Sequence, residues 1–229
     1  MSQYRHEFKY VISEAQIPLL RLRISQLMKP DIHTGISGMY NIRSLYFDDY
    51  RNSSYYENEN GTDPREKFRI RIYNYSTERI ALECKRKEKG KTLKISSLLN
   101  EEQTYTLMQG RSIDFNDQPD LIRKMCLQMK TKLLKPVTIV QYERIPYICR
   151  NGNVRVTFDI NISSSSEVKS FLNRDIPVRP VMPSGWHLLE VKYDEFLPDY
   201  IYRALNLGIL QPTAYSKYYL CRKYAQKGV

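Results

Sequence analysis

Leu189-Glu190-Val191-Lys192-Tyr193 places a glutamate and a lysine two residues apart, with a valine between them. The stretches Glu7-Phe8-Lys9 and Glu83-Cys84-Lys85 repeat this arrangement. Successive side chains of a β-strand point to opposite faces, so the two charges of each stretch share one face and the middle residue points to the other. The pattern predicts three strands that each have a charged face and an apolar face.

Two longer stretches alternate in the same way but carry mainly cations on the polar face. These are Lys67-Phe68-Arg69-Ile70-Arg71-Ile72-Tyr73 and Val154-Arg155-Val156-Thr157-Phe158-Asp159-Ile160. A single strand of this kind is usually the solvated face of an ordinary sheet, because charged residues are normally exposed. Five separated strands with the same pattern favour instead a barrel with a wet, charged interior.

The overall composition is that of a folded chain with a strongly basic balance. Of the 229 residues, 41% are hydrophobic and 27% are charged, which is ordinary for a globular protein, and we expect a single domain over residues 1–229. The net charge is +11 and the pI is about 9.4. Such a balance favours an anionic partner, which could be nucleic acid, anionic lipid or a phosphorylated small molecule.

The sequence also predicts the cellular compartment. No stretch approaches the ~20 consecutive apolar residues that cross a bilayer. The first seven residues, MSQYRHE, lack the apolar core of a secretion signal. Four well-separated cysteines and three histidines make disulfides and a zinc site poor interpretations. We therefore expect a cytoplasmic protein with reduced cysteines.

Runs rich in Ile, Val, Tyr and Phe predict eight strands, over residues 5–12, 40–48, 66–74, 79–87, 92–98, 137–148, 153–162 and 187–194. Helical spacing and capping residues predict helices over residues 13–29, 101–109, 117–134, 198–207 and 214–226. Ser13, Asn100 and Thr213 are the expected N-caps of the first, second and last helices.

These elements predict an α+β fold, an eight-stranded antiparallel β-barrel with flanking helices. The charged strand faces argue against a parallel doubly wound sheet, whose strands are apolar on both sides. If the charges face inward, the apolar faces need cover from outside. The helices at 13–29, 117–134 and 213–226 are the candidates for that cover.

The charged faces carry more cations than carboxylates. Their members are Arg5, Glu7, Lys9, Lys67, Arg69, Arg71, Glu83, Lys85, Lys87, Arg144, Arg155, Asp159, Glu190 and Lys192. Inward-facing charges must be paired or solvated, so the excess of cations predicts a polyanionic ligand, and Arg and Lys both suit phosphate. Glu7, Glu83, Asp159 and Glu190 are hard oxygen ligands for Mg²⁺ or Mn²⁺, with bound phosphate supplying the remaining ligands.

The order and spacing of these motifs resemble the VTC-type polyphosphate polymerase domain, a branch of the triphosphate tunnel (CYTH-like) superfamily. The resemblance runs nearly end to end, through RHEFKY (5–10), SLYFD (44–48), RIRIY (69–73), LECK (82–85), YER (142–144), RVTFD (155–159), LEVKY (189–193) and SKY (216–218). It implies an eight-stranded tunnel that holds a nucleoside triphosphate and a growing chain of inorganic polyphosphate, together with Mn²⁺ or Mg²⁺.

The resemblance also implies roles for individual residues. Arg69, Arg71, Lys85 and Lys217 would be catalytic. The phosphate-binding set would be Lys9, Lys94, Tyr142, Arg144, Arg155, Lys192 and Ser216. Glu190 would be the leading metal ligand, supported by Glu7, Glu83 and Asp159. Ser216 and Lys217 lie near the start of the last predicted helix, where free backbone N–H groups favour phosphate.

The expected activity is transfer of the γ-phosphate of a nucleoside triphosphate to a polyphosphate chain, by alignment and charge stabilisation. Tunnel triphosphatases usually begin with Glu-x-Glu-x-Lys, whereas the first position here is Arg5. This departure favours polymerase over hydrolase and is expected to add a phosphate-binding cation. The alternatives are a tunnel triphosphatase and a non-catalytic module that binds polyphosphate or other phosphorylated ligands. Nucleic acid is disfavoured because no helix carries a basic cluster, and a membrane or protein partner stays open.

Overall fold

The computed structural model describes residues 4–114 and 116–226, with side chains to residue 224. Its strands are β1 His6–Ser13, β2 Lys29–Pro30, β3 Tyr40–Asp48, β4 Arg65–Tyr73, β5 Ser76–Glu88, β6 Lys91–Leu99, β7 Lys135–Cys149, β8 Val154–Ser165, β9 Arg179–Pro180 and β10 Trp186–Tyr193. Its α-helices are α1 Gln16–Ser25, α2 Ser53–Glu59, α3 Glu101–Met108, α4 Asp120–Lys132, α5 Asp199–Ala204 and α6 Lys217–Gln226. All eight predicted strands are present, and the α+β class is confirmed.

The eight long strands form one antiparallel sheet in the order β1-β10-β8-β7-β3-β4-β5-β6, while the two-residue strands β2 and β9 pair with β7 and β8. The sheet curls into a half-barrel. Its two edge strands meet at one end, where the backbones of Arg5 and Thr92 exchange hydrogen bonds of 3.0 and 2.9 Å. Further along, the free edge of β1 pairs with the segment around Pro212. The expected barrel is therefore closed by strand pairing at one end only among the described residues.

Two hydrophobic cores cover the outer face of the sheet. One packs β3, β4 and β5 against α3 and α4, through residues such as Ile70, Leu82 and Met125. The other packs β1, β7, β8 and β10 against α1 and α5, through residues such as Ile24 and Val156. These are the apolar residues that alternate with charges along the strands, so their burial turns the charged faces toward the concave side.

The last helix was predicted on the wrong side of the sheet. Instead of covering the outside, α6 lies against the concave face, where Tyr218 and Cys221 join an inner cluster with Tyr46, Val140 and Leu188. Its N-cap also differs from the expected Thr213, because the Ser216 hydroxyl accepts a hydrogen bond from the Tyr219 N–H at 3.3 Å. The inner position follows from Lys217, whose ammonium pairs with carboxylates on the concave face of the sheet.

At the starts of α3 and α1, local hydrogen bonds of the capping residues can be compared with the predicted N-caps. Asn100 caps α3 as expected, in a capping box with Gln103. Ser13 instead ends β1, and α1 begins at Gln16, although the Gln16 side chain still accepts a hydrogen bond from the Ser13 N–H at 2.8 Å. None of the helices in the described ranges has the length and apolar content that a bilayer crossing requires.

Candidate functional site

The concave side of the half-barrel encloses a cavity with about 1080 Å³ of empty space, counting the part that is open to solvent. Among the described residues, ten cations and two carboxylates line it. The cations are Lys9, Arg65, Lys67, Arg69, Arg71, Lys85, Lys87, Arg144, Lys192 and Lys217, and the carboxylates are Glu7 and Glu190. Such a wall attracts a ligand that carries several negative charges.

Strand register explains why the Glu-x-Lys pattern recurs. The strands β1 and β10 run antiparallel, with Glu7 opposite Lys192 and Lys9 opposite Glu190. The Lys192 ammonium lies 2.9 Å from Glu190 and 3.7 Å from Glu7, and Lys9 lies 3.8 Å from Glu7. Each motif thus supplies the counter-charges for the other, and together they build one alternating patch of the wall.

The third motif, on β5, pairs with the cationic strand β4. Arg69 lies opposite Glu83 in the register and contacts its carboxylate at 2.7 Å. Arg71 and Lys94 reach the same carboxylate at 4.0 and 3.0 Å. Burial by itself raises the pKa of Glu83, but the neighbouring Arg69 and Arg71 outweigh it and lower that pKa. Glu83 is therefore an anion held behind the wall by three cations.

The floor of the cavity is a buried ion-pair cluster beneath the first turn of α6. The Lys217 ammonium lies 2.6 Å from both Asp159 and Glu190. Arg144 binds Asp159 through two hydrogen bonds of 2.6 and 2.7 Å and reaches Glu190 at 3.3 Å. Burial opposes the charged form of Lys217, but Asp159 and Glu190 raise its pKa. The pKa of Glu190 is held well below its usual value, since Lys192 and Lys217 outweigh the opposite effect of burial.

Toward the mouth of the cavity, at the start of β4, some cations have no carboxylate partner among the described residues. There the Lys67 ammonium contacts neutral groups, the Asn58 side chain at 3.2 Å, the Ser216 hydroxyl at 3.3 Å and the ring of Tyr218 at 4.9 Å from its centre. Burial lowers the pKa of Lys67 to about 7, and the nearby cations, with Arg65 foremost, act in the same direction. Burial likewise lowers the pKa of Lys85 to about 7, although Glu7 opposes this.

Most of the predicted site residues come together. The predicted members that line the cavity are Glu7, Lys9, Arg69, Arg71, Lys85, Tyr142, Arg144, Glu190, Lys192, Ser216 and Lys217. Asp159 and Glu83 lie behind the wall, 0% and 2% exposed, as ion-pair partners of its cations. Lys94 also stands outside the lining, where it binds Glu83.

Two predicted cations, Arg155 and Arg5, lie outside the cavity lining although the register places them on the concave face of the sheet. Arg155 forms an ion pair with Asp31 at 2.8 Å and donates a hydrogen bond of 2.8 Å to the Tyr40 hydroxyl. Arg5 pairs with Asp194 at 2.6 Å and donates to the Asn153 carbonyl. The Arg5 guanidinium is thus engaged outside the cavity lining, and its expected role as a phosphate-binding cation stays a prediction.

The carboxylates of the site can be compared with those that the predicted metal ion would need. No group of three or more His, Cys, Asp or Glu within residues 4–114 and 116–226 is arranged to hold a metal ion. Two carboxylates, Glu7 and Glu190, do line the cavity. Mg²⁺ is commonly held by one or two carboxylates with substrate phosphates supplying further ligands. The wall thus fits a divalent ion that arrives with phosphate, and Glu190 and Glu7 are the residues in position to hold it.

Several lining residues escaped the sequence reasoning. Arg65, Asn58, Tyr46 and the Thr213–Tyr215 segment all face the cavity. Asn58 belongs to α2, a helix that was not predicted at all. Tyr46 could have been found, because it lies between Ser44 and Asp48 on the strand motif 44–48, and its hydroxyl accepts a hydrogen bond from Arg69 at 2.9 Å.

Known proteins share this fold at low sequence identity, and no curated protein sequence matches the chain. A candidate adenylyl cyclase from Hippeastrum, described as having a dominant triphosphatase activity, is 11% identical with a TM-score of 0.59, over 98% of this chain and 96% of its own. A candidate adenylate cyclase from Bacillus halodurans is 13% identical with a TM-score of 0.51, over 91% of this chain and 89% of its own. At these identities the likeness shows a shared fold. The family model for the VTC domain matches residues 4–225, so the chain belongs to the VTC domain family.

Proposed function

We propose that this protein is a metal-dependent phosphotransferase that transfers the γ-phosphate of a nucleoside triphosphate to a chain of inorganic polyphosphate. The observation that carries the proposal is the composition of the cavity wall, where ten cations stand against two carboxylates among the described residues. Such a wall suits a ligand made of linked phosphates, because each phosphate can be met by Arg or Lys.

The residues act mainly by positioning and by charge. Lys9, Arg69, Arg71, Lys85 and Lys192 would hold phosphate oxygens along the wall. Lys217 and Arg144 would hold the innermost phosphate at the floor, assisted by Tyr142. Ser216 at the start of α6, whose hydroxyl lies 3.3 Å from the Lys67 ammonium, would contact phosphate nearer the mouth. The acceptor phosphate is itself the nucleophile, so no protein nucleophile is needed.

A divalent ion, Mn²⁺ or Mg²⁺, would neutralise charge on the transferring phosphoryl group. Glu190 and Glu7 would hold it, with Glu190 leading. Glu83 and Asp159 instead keep Arg69 and Arg144 in place through their ion pairs. Lys94 and Arg155 would reach phosphate only after leaving their present carboxylate partners.

A second candidate is hydrolysis of triphosphates in the same cavity. It draws support from the Hippeastrum protein, which has a similar fold and is described as a triphosphatase. Among the described residues no third carboxylate lines the cavity, which weighs against hydrolysis, since hydrolysis needs a well-held metal to activate water. The third candidate is a module that binds polyphosphate without turnover, and it would bind the chain at the same cavity wall.

One experiment distinguishes the three candidate functions. The purified protein is incubated with ATP and Mn²⁺ or Mg²⁺, and polyphosphate and free phosphate are measured in parallel. We expect polyphosphate to form. Free phosphate without a long product would favour the triphosphatase, and neither product, with a melting temperature raised by tripolyphosphate, would favour the binding module.

A further inference from the structure

The cations in and beside the cavity form two groups, according to whether a described carboxylate lies within ion-pair distance. The inner network consists of two clusters of ion pairs within 4.0 Å, one around Glu83 and one around Glu7, Asp159 and Glu190, and all of its cations except Lys94 line the cavity. Its members are the cations Lys9, Arg69, Arg71, Lys85, Lys94, Arg144, Lys192 and Lys217 with the carboxylates Glu7, Glu83, Asp159 and Glu190. Eight cations against four carboxylates leave four in excess, a charge that one triphosphate group can neutralise.

The mouth group consists of Arg65, Lys67 and Lys87, which also line the cavity. None of the three has a described carboxylate within ion-pair distance. Arg65 donates to the Thr62 carbonyl at 2.8 Å, and Lys67 contacts Asn58 and Ser216. In the sheet register, Arg65 lies opposite Lys87 and Lys67 lies opposite Lys85. Like charges directly opposite each other in a sheet repel, so this arrangement costs stability unless an anion lies between them.

Two members of the mouth group, Arg65 and Lys67, extend a row of cations along β4. Arg65, Lys67, Arg69 and Arg71 occupy every second position of that strand, so their side chains share one face about 7 Å apart and span about 20 Å. A triphosphate group, with three linked phosphorus atoms, is too short to contact both ends of such a row. A longer chain can contact the inner network and the mouth together.

We propose that Arg65, Lys67 and Lys87 form a second anion site that takes the part of an inorganic polyphosphate chain lying beyond the inner network. The inference rests on the proposed phosphate-chain ligand, and it adds that the chain leaves along β4 and β5 through the mouth. Burial lowers the pKa of both Lys67 and Lys87, and the neighbouring cations, with Arg65 foremost, act in the same direction. The mouth group thereby sets a preference for long chains over triphosphate.

The test compares binding of tripolyphosphate and long-chain polyphosphate to the full chain, without nucleotide, by titration calorimetry. The variant Arg65→Ala/Lys67→Ala/Lys87→Ala removes the mouth group. The control Lys29→Ala/Arg79→Ala/Lys169→Ala removes three exposed charges that do not line the cavity. We expect the mouth variant to lose at least about tenfold in affinity for the long chain and under about twofold for tripolyphosphate, with the control close to wild type. Its affinity for the long chain should also depend less on salt, by roughly 2 in the slope of log K against log salt.

Equal losses on both ligands would overturn the proposal, since the three cations would then belong to the inner site. So would an equal loss in the control, which would indicate long-range attraction only, or a wild type that binds both ligands equally. Single-stranded DNA is run as a further ligand, and a matching tenfold loss there would replace the proposal with a general phosphodiester site. A melting temperature of the variant that is equal to or higher than that of wild type shows that it is folded, since removal of opposed like charges relieves repulsion. If wild type makes no polyphosphate yet shows the chain-length preference, the proposed function fails and this site stands.

Discussion

The Lys217 ammonium lies 2.6 Å from the Glu190 carboxylate, at the point where the last helix meets the concave face of the sheet. The same ammonium reaches Asp159 at 2.6 Å, and all three side chains are almost fully buried. Because Lys192, Lys9 and Arg144 also contact Glu190, this carboxylate links the floor of the cavity to its wall. Its removal therefore tests binding, catalysis and stability at once.

Glu190→Gln is expected to abolish phosphoryl transfer while polyphosphate binding is retained or strengthened. The amide keeps the shape but removes the charge that would hold a divalent ion, and it releases cations to bind phosphate. Loss of the buried counter-charge should lower the free energy of unfolding by about 3 kcal/mol. Transfer is measured from ATP and Mn²⁺, binding by calorimetry, and stability by urea unfolding. Full activity in this variant would remove Glu190 from the metal proposal.

Lys85→Ala is expected to weaken binding of tripolyphosphate by about 1.5–3 kcal/mol, since a charge-assisted contact is lost. The matched control is Lys124→Ala. Lys124 also pairs with a single glutamate, Glu66 at 2.6 Å, but lies outside the cavity. Calorimetry on both variants gives the comparison, and equal effects would show that only the net charge of the protein matters.

Binding of long-chain polyphosphate is expected to weaken as the pH rises above 7. Free Lys67 has a pKa of about 7, lowered by burial and by Arg65, Lys9 and Lys85, with Asp48 opposing. A bound polyanion favours the charged form and raises this pKa, so the complex takes up a proton between pH 7 and the pKa of the bound state. Below pH 7 the lysine is already charged and the dependence disappears. Calorimetry in two buffers of different ionisation enthalpy measures the uptake.

The proton uptake has a specific control. Lys67→Arg keeps a cation that does not titrate in this range, so uptake should fall to the share that Lys85 contributes, whose pKa is also about 7. Uptake unchanged by this substitution would assign the whole effect to other groups.

Tyr218→Phe is expected to lower the free energy of unfolding by about 1–3 kcal/mol. The buried Tyr218 hydroxyl donates to Asp48, whose carboxylate also accepts hydrogen bonds from the Ser54 and Tyr55 N–H groups at 2.9 and 3.2 Å. Burial and the adjacent Asp48 raise the pKa of Tyr218. Tyr219→Phe, which removes a hydroxyl that donates to the exposed Glu59, is the control and should cost less than about 0.5 kcal/mol. Equal urea midpoints for the two variants would contradict a structural role for the Asp48 bond.

Strand alternation determined much of this protein at the level of sequence. The period of two identified all eight long strands and the residues on their charged faces. It also identified the apolar residues, such as Ile70 and Val156, that pack under the outer helices. The alternation of side chains is a local property of an extended backbone, so it does not depend on the tertiary contacts of other segments.

The helix α2 was missed because its sequence, SSYYENE, carries no helical period of apolar residues. Its first turn is held by the Asp48 carboxylate at the end of β3, and Tyr55 stacks on Tyr219 of α6 at 4.9 Å between ring centres. Both contacts depend on where neighbouring elements lie.

Only the tertiary structure decided which cations share the cavity. Spacing along a strand predicts the face of Arg155, Arg5 and Lys67 but not the partner that each will meet. Arg155 pairs with Asp31 and Arg5 pairs with Asp194, both outside the cavity lining, whereas Lys67 has no carboxylate within ion-pair distance among the described residues and lines the cavity. Coulomb attraction acts over distances in space rather than along the chain, and those distances are set when the sheet curls and α6 folds onto its concave face.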